Sequence, residues 1–174
     1  MKKTIIYQAI LAGCLTLAAC QPKNETTQNE AGQTESTDVT SRIADCKVTL
    51  GDVTFTHAIN GADTCVSLLA DRTLEFRCAE GLDFFCDPND GKLSNNTLPV
   101  LLIPTDNTKP FTLTAKVTPE FTAEGLYNAA DLFVYVNDTL WQKLAFEQDE
   151  YGNHRIVSVR TQGTSDDNNH DKID

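Results

Sequence analysis

The chain has 174 residues, with 14 Lys and Arg against 25 Asp and Glu, a formal charge of −11, and 40% hydrophobic side chains. This excess of acid disfavours nucleic acid and anionic lipid head groups as partners. The length suits one domain with short flanking segments.

The N-terminus opens with Lys2 and Lys3, followed by an apolar run over residues 5–19 that is too short to persist as a spanning helix. Residues 1–19 are therefore expected to be an export signal. The run ends in Leu17-Ala18-Ala19-Cys20, which resembles the lipobox of bacterial lipoproteins. In those proteins the cysteine thiol carries a diacylglycerol and becomes the first mature residue. The alternative is an ordinary signal peptide with an incidental cysteine. The resemblance implies a membrane-lipid partner through acylated Cys20 and a place in the cell envelope. Gln21, where the usual inner-membrane retention signal is Asp, implies the outer membrane, facing the periplasm or the cell surface. Loss of Lys2 and Lys3 leaves 12 of the 14 basic side chains against 25 acidic ones, a formal charge of −13.

Residues 20–42 form the next unit. From Gln21 to about Ser41 they are Gln, Asn, Glu, Thr and Ser with almost no large apolar side chain, too little to offset the entropy of ordering. The segment reads as a tether, and about 20 flexible residues span roughly 25 Å.

Residues 43–174 read as one all-β domain. Leu74, Phe76 and Cys78 alternate with Glu75 and Arg77, and Phe111, Leu113, Ala115 and Val117 alternate with Thr112, Thr114 and Lys116. Both patterns describe half-buried strands. Residues 98–103, 132–136, 140–146 and 156–161 are further short strands, separated by Pro, Gly, Asn and Asp. Short strands with turn signals between them indicate a sandwich or jelly roll.

With Cys14 in the leader and Cys20 acylated, Cys46, Cys65, Cys78 and Cys86 remain for an oxidising compartment, where two disulfides are expected. Zinc is the rival reading, but the intervening spacings of 18, 12 and 7 residues contain no C-x-x-C pair. A hairpin with Asp71-Arg72 as a two-residue loop would set Cys65 opposite Cys78, in a closely spaced non-hydrogen-bonded pair. Cys46–Cys86 would then be the second bridge. Asp-Arg is not a favoured tight-turn pair.

The sequence holds no complete catalytic motif, and neither a cofactor nor a metal is expected. His57, His154 and His170 are scattered. Glu147-Gln148-Asp149-Glu150-Tyr151 has two positions of the Glu-x-Asp-x-Glu pattern of laminarinase-type glycosidases, with Tyr151 in place of the last acid. Asp87-Pro88-Asn89-Asp90-Gly91 reads as a turn, with calcium the rival. The strand over residues 140–147 carries Trp141, Lys143, Ala145 and Glu147 on one side, an aromatic plate beside polar groups of the kind a sugar site uses. A turn over residues 150–153 would let Ser158 and Arg160 share that face, and Tyr135 would complete it. The competing expectation makes Trp141 core packing and Lys143 with Glu147 a solvated ion pair.

A family likeness covers about residues 55–168. Its signs are Leu82-Asp83-Phe84-Phe85, Asp87-Pro88, Leu98-Pro99-Val100-Leu101-Leu102 and the run from Phe111 to Phe121, then Leu140-Trp141-Gln142-Lys143-Leu144-Ala145-Phe146-Glu147, Ile156-Val157-Ser158-Val159 and Gly163-Thr164-Ser165-Asp166-Asp167. The chain resembles the concanavalin A-like family often labelled "regulation of enolase" proteins. The resemblance implies a jelly-roll β-sandwich like those of lectins and glucanases, with a saccharide on its concave sheet. It implies no known reaction. Relatives continue past the Ser-Asp-Asp segment with further strands, so the resemblance implies a domain shortened at its C-terminus, with open strand edges that invite a protein partner. The leading expectation is a lipid-anchored, non-catalytic glycan-binding module, the alternative an envelope structural or protein-interaction module, and a glycoside hydrolase comes third.

Overall fold

The computed structural model describes residues 6–12 and 42–173. Cys14, the acylation candidate Cys20 and the expected tether over residues 21–41 lie outside the described residues. The architecture is all-β with antiparallel sheets, in keeping with a jelly-roll β-sandwich. No helix among the described residues is long and apolar enough to cross a membrane.

Twelve strands are described. They are β1 (Ile6–Ala12), β2 (Ile43–Leu50), β3 (Val53–Ile59), β4 (Val66–Leu68), β5 (Leu74–Phe76), β6 (Phe84–Phe85), β7 (Asn95–Asn96), β8 (Val100–Thr105), β9 (Ala129–Asn137), β10 (Leu140–Gln148), β11 (His154–Gln162) and β12 (Thr164–Lys172). Eight of them form one sheet in the order β12-β11-β10-β9-β1-β8-β3-β2, while β4 pairs with β5 and β6 with β7.

Burial explains the layering. The run Val100-Leu101-Leu102 in β8 is buried on both sides, as an uninterrupted apolar strand requires. Val100 and Leu102 join Ile59, Phe133, Tyr135, Trp141, Val157 and Val159 on one face, where Phe84 and Leu98 from the β6–β7 region cover them. Leu101 turns to the other face and packs with Phe55, Ala58 and Ala62 beneath the β4–β5 hairpin. At the centre of the first cluster Phe84 meets Phe133, Tyr135 and Trp141 edge-on, with ring centroids 5.8, 6.0 and 5.4 Å away. That is the arrangement the ring quadrupoles favour.

Two expected elements come out differently. The alternating segment over residues 111–117 belongs to no ladder. Leu113, Ala115 and Val117 are half-buried and their neighbours exposed, so the period-two pattern records one side lying against the sheet rather than pairing within it. Phe111 and Leu113 line a groove together with Leu132, Val134 and Leu144, and Phe121 stacks on His154 at 4.0 Å. Conversely β12 has no apolar residue, yet it pairs along β11 from Gln162↔Thr164 to Arg155↔Lys172. Gly163 makes this turn with φ 81°, and Ser165 anchors it by donating its N–H to the Cys86 carbonyl at 2.7 Å.

The β4–β5 hairpin has a three-residue loop in place of the expected two. Leu69 N–H donates to Thr73 O at 2.9 Å and Arg72 N–H to Leu69 O at 3.0 Å, while Arg72 itself takes the left-handed conformation at φ 66°. Asp-Arg cannot supply two positive-φ residues cheaply, so the loop lengthens by one and closes through a single left-handed residue. Cys65 consequently faces Arg77, whose N–H donates to the Cys65 carbonyl at 2.8 Å. The Cys65 and Cys78 sulfurs are nevertheless 3.4 Å apart, as free thiols. Burial and the neighbouring Cys65 push the Cys78 thiol up to about 12. The expected Cys46–Cys86 bridge is not formed. Cys46 lies against the Phe55 carbonyl at 3.6 Å, on the face under the hairpin. Cys86 lies against the Asp138 carbonyl at 3.5 Å, beside the opposite cluster, so the sheet stands between them.

Mild oxidation of the folded chain is expected to join Cys65 to Cys78 and leave Cys46 and Cys86 reactive to a thiol label, as read by peptide mapping. The bridge should raise the unfolding free energy by about 2–3 kcal/mol.

Candidate functional site

The row named in the sequence is built by two neighbouring strands. Register sets Trp141 beside Tyr135, Lys143 beside Phe133 and Ala145 beside Asp131. Tyr135, Trp141, Lys143 and Glu147 thus share one face, as expected. Ser158 and Arg160 do not. They pair with Leu144 and Gln142, so they stand on the other side of the sheet. The reason is a single residue of loop. A four-residue turn over residues 150–153 would have brought them onto the Trp141 face, but Gln148 pairs with His154 and the loop closes over three residues, 150–152. Gly152 closes it at φ 75°, Gly152 N–H donates to Asp149 O at 3.0 Å and Asp149 N–H to Asn153 O at 2.9 Å. A one-residue change in register moves every side chain to the opposite face.

The shared row is interior. Trp141 is 3% exposed and Tyr135 1%. The indole Nε1 donates to the Asp138 carbonyl at 3.2 Å, and the Tyr135 hydroxyl donates to the Asp138 carboxylate at 2.7 Å. Arg42 pairs with the same carboxylate and lies 5.8 Å from the Phe84 ring centroid. These rings are packing, and the expectation of a solvent-facing plate is corrected by Phe84 seated on them.

Lys143 is buried beside Trp141, rather than paired with Glu147 in solvent. Its ammonium donates to Asp83 at 3.2 Å and lies 3.9 Å from Asp131. Burial alone would lower the Lys143 pKa, but Asp131 and Asp83 outweigh it and hold the value above the ordinary one. Burial pushes Asp131 up to about 6, against the pull of Lys143. Burial likewise pushes Glu147 up to about 7, with Lys143 opposing and Asp131, Asp83 and Asp167 adding to the rise. One ammonium therefore serves several carboxylates, two of which take up protons near neutrality. The Asp131 Oδ1 atom is buried with no hydrogen-bond partner. Asp83 and Asp131 were not picked out in the sequence. Asp131 could have been, because it holds the same inward parity as Phe133 and Tyr135 in an otherwise apolar strand.

Elsewhere the acids are committed to loops. The Asp87 carboxylate accepts N–H groups of Asn89 at 2.9 Å and Leu93 at 3.2 Å, and its pKa lies below the ordinary range for that reason. Asp149 accepts from Tyr151 and Asn153 N–H at 3.0 and 2.8 Å and pairs with Arg155 at 2.6 Å. These bonds hold it down to about 2 against the opposing effect of burial.

The outer side of β10–β12 is open. Gln142, Leu144 and Arg160 are exposed there, Ser158 Oγ meets His170 Nε2 at 2.8 Å, and Arg160 lies 3.7 Å from Asp166. Beside them is a groove of about 240 Å³, lined in part by Phe111, Leu132, Val134, Gln142 and Leu144.

A family model described as "Protein of unknown function (DUF1349)" matches residues 63–174, from the turn before β4 to the end of the chain. The chain belongs to the DUF1349 family. DUF1349 is a concanavalin A-like family, so the layered β architecture and the sequence match agree. The matched region contains both the buried lysine and the open face, whereas β1, β2 and β3 precede it. No curated protein and no solved structure matches the chain.

Because Asp131 and Glu147 bind protons more readily folded than unfolded, each stabilises the fold at low pH. That contribution is lost as pH rises through about 6 and about 7. Glu147→Gln is expected to flatten the fall in urea-unfolding free energy between pH 4.5 and 7.5. Lys143→Met should cost about 3–5 kcal/mol at pH 8, where it strands buried carboxylate charge. The cost should be smaller at pH 5, because Asp131 is then protonated; an equal cost at both would contradict the assignment.

Proposed function

We propose that this DUF1349 protein is a lipid-anchored, non-catalytic ligand-binding module of the bacterial cell envelope, at the outer membrane, with a saccharide as its ligand class. The anchoring reading is supported by Lys2-Lys3, the apolar run and Leu17-Ala18-Ala19-Cys20. The non-catalytic reading is supported by Asp149, whose carboxylate is engaged by its own loop and Arg155, and by Tyr151 standing where the glycosidase pattern needs an acid.

The observation that carries ligand binding is the contrast between the two sides of β10 and β11. One side is closed by Phe84. The other presents an amide, two hydrogen-bonded polar groups, a guanidinium and exposed Leu144 beside a groove edged by Phe111. Hydroxyl-rich ligands need such a mixture of donors, acceptors and apolar contact. Ser158 and Arg160 therefore stay in the ligand reading, whereas Tyr135, Trp141, Lys143 and Glu147 support the strand beneath it.

Thermal unfolding of the envelope-purified protein against a panel of polysaccharides tests this. A binding glycan at 100 times its Kd should stabilise the fold by about 2.7 kcal/mol, with the gain lost in Arg160→Ala and kept in Glu147→Gln. No shift with any glycan would sink the saccharide reading. An intact mass without acyl chains on Cys20 would sink the anchor.

A further inference from the structure

The eight-stranded sheet has an unusual centre. β1 runs antiparallel to β8 over five positions, from Ile6↔Thr105 to Ile10↔Leu101, and antiparallel to β9 over six, from Tyr7↔Tyr135 to Ala12↔Ala130. β8 and β9 consequently run in the same direction, with Leu101 and Leu132 both across from Ile10. One strand separates them, so they stand roughly 9–10 Å apart, beyond the reach of any backbone hydrogen bond. Leu101, Leu102, Ala130, Asp131 and Phe133 on the two flanking strands are buried. Inner-edge N–H and C=O groups left bare in such surroundings would be buried without partners, which is destabilising.

The strand that fills this space, Ile6–Ala12, lies within the segment read above as the export leader. The same seven residues, Ile-Tyr-Gln-Ala-Ile-Leu-Ala, serve two readings that cannot both hold in one mature chain. Removal of residues 1–19 opens the sheet at its middle rather than at an edge.

We propose that the space between β8 and β9 is a strand-acceptor site for an extended apolar polypeptide segment. The chain's own Ile6–Ala12 occupies it before processing, and an apolar strand of a partner protein occupies it afterwards. The chemistry of the occupant follows from the flanks. It must run antiparallel to both β8 and β9, offer N–H and C=O groups on both edges, and be predominantly apolar over about seven residues. Such strand addition draws affinity from backbone bonds and specificity from alternate side chains. The polar strand β12 does not meet these requirements, so the chain's other end is a poor substitute. The timing of the exchange rests on the leader reading of the previous subsection; the acceptor site itself does not.

The test uses the full chain, folded, with a protease site placed within residues 21–41 and cut afterwards. The N-terminal fragment is expected to co-elute with the body on size exclusion. A labelled peptide of residues 4–14 carrying Cys14→Ser should displace it saturably. The same peptide with Ala9→Pro should bind at least tenfold more weakly, because Ala9 pairs with Leu102 and Phe133. Amides of β8 and β9 should be protected from hydrogen exchange with peptide bound and exposed without it. The proposal is overturned if the fragment leaves while those amides stay protected, if Ala9→Pro binds equally well, or if the cut body dimerises and refuses the peptide. Finding the leader uncut on protein taken from cells would fail the anchoring reading alone, since the cut chain decides the slot independently.

Discussion

The contact on which the arrangement depends is Phe84 pressed edge-on into Phe133, Tyr135 and Trp141. It joins the β6–β7 region to the large sheet, together with hydrogen bonds from Asn60 to the Asn96 and Leu98 carbonyls. Once this ring is seated, its chain neighbours are placed within hydrogen-bonding reach of particular partners. Asp83 reaches the Lys143 ammonium, and Cys86 exchanges backbone and side-chain hydrogen bonds with Ser165. The polar edge strand β12 is thereby tied to an apolar core that none of its own side chains could build.

The same contact decides the electrostatics. A lysine on an apolar strand would ordinarily extend to solvent, but Phe84 and its neighbours close that route and leave Lys143 dependent on acids. Asp131 is held wholly inside by the sheet, while Asp83 keeps almost half of its side-chain surface in water. The result is a group of carboxylates that share too little positive charge, with Asp131 and Glu147 displaced toward neutrality. In an accessible cleft such values would suggest acid–base chemistry. Beneath an aromatic lid they describe a pH-dependent core, and the proposed ligand site is left to the open side carrying Gln142, Ser158, Arg160 and His170.

Much of this was legible from period-two patterns. Residues 132–136, 140–146 and 156–161 fall within β9, β10 and β11, and Trp141, Lys143, Ala145 and Glu147 share a face because alternation within a strand is a covalent property. The pairing between strands was not legible, and it failed twice for one reason. Both the β4–β5 and β10–β11 loops differ by one residue from the expected count, and both close through a left-handed residue, Arg72 and Gly152. Each one-residue difference shifts the register by one, taking Cys78 from opposite Cys65 and taking Ser158 and Arg160 to the far face. The two sulfurs still approach because β4 begins at Val66 and β5 ends at Phe76, so both cysteines lie outside the ladder and are not bound to its alternation.

By itself the sequence determined the segments that form β9, β10 and β11, the inward and outward sets along them, the acidic character and the likeness to the concanavalin A-like family. These depend on neighbours in the chain or on the order of short motifs. Only the tertiary structure decided which inward set is sealed, which acids meet Lys143, and what stands between β8 and β9. Those outcomes depend on loop parity and on contacts such as Phe84 on Trp141, 57 positions apart in the chain. The apolar run at the N-terminus shows the division most plainly, because leader and central strand require the same hydrophobic residues. Only the backbone edges waiting in β8 and β9 distinguish the second use from the first.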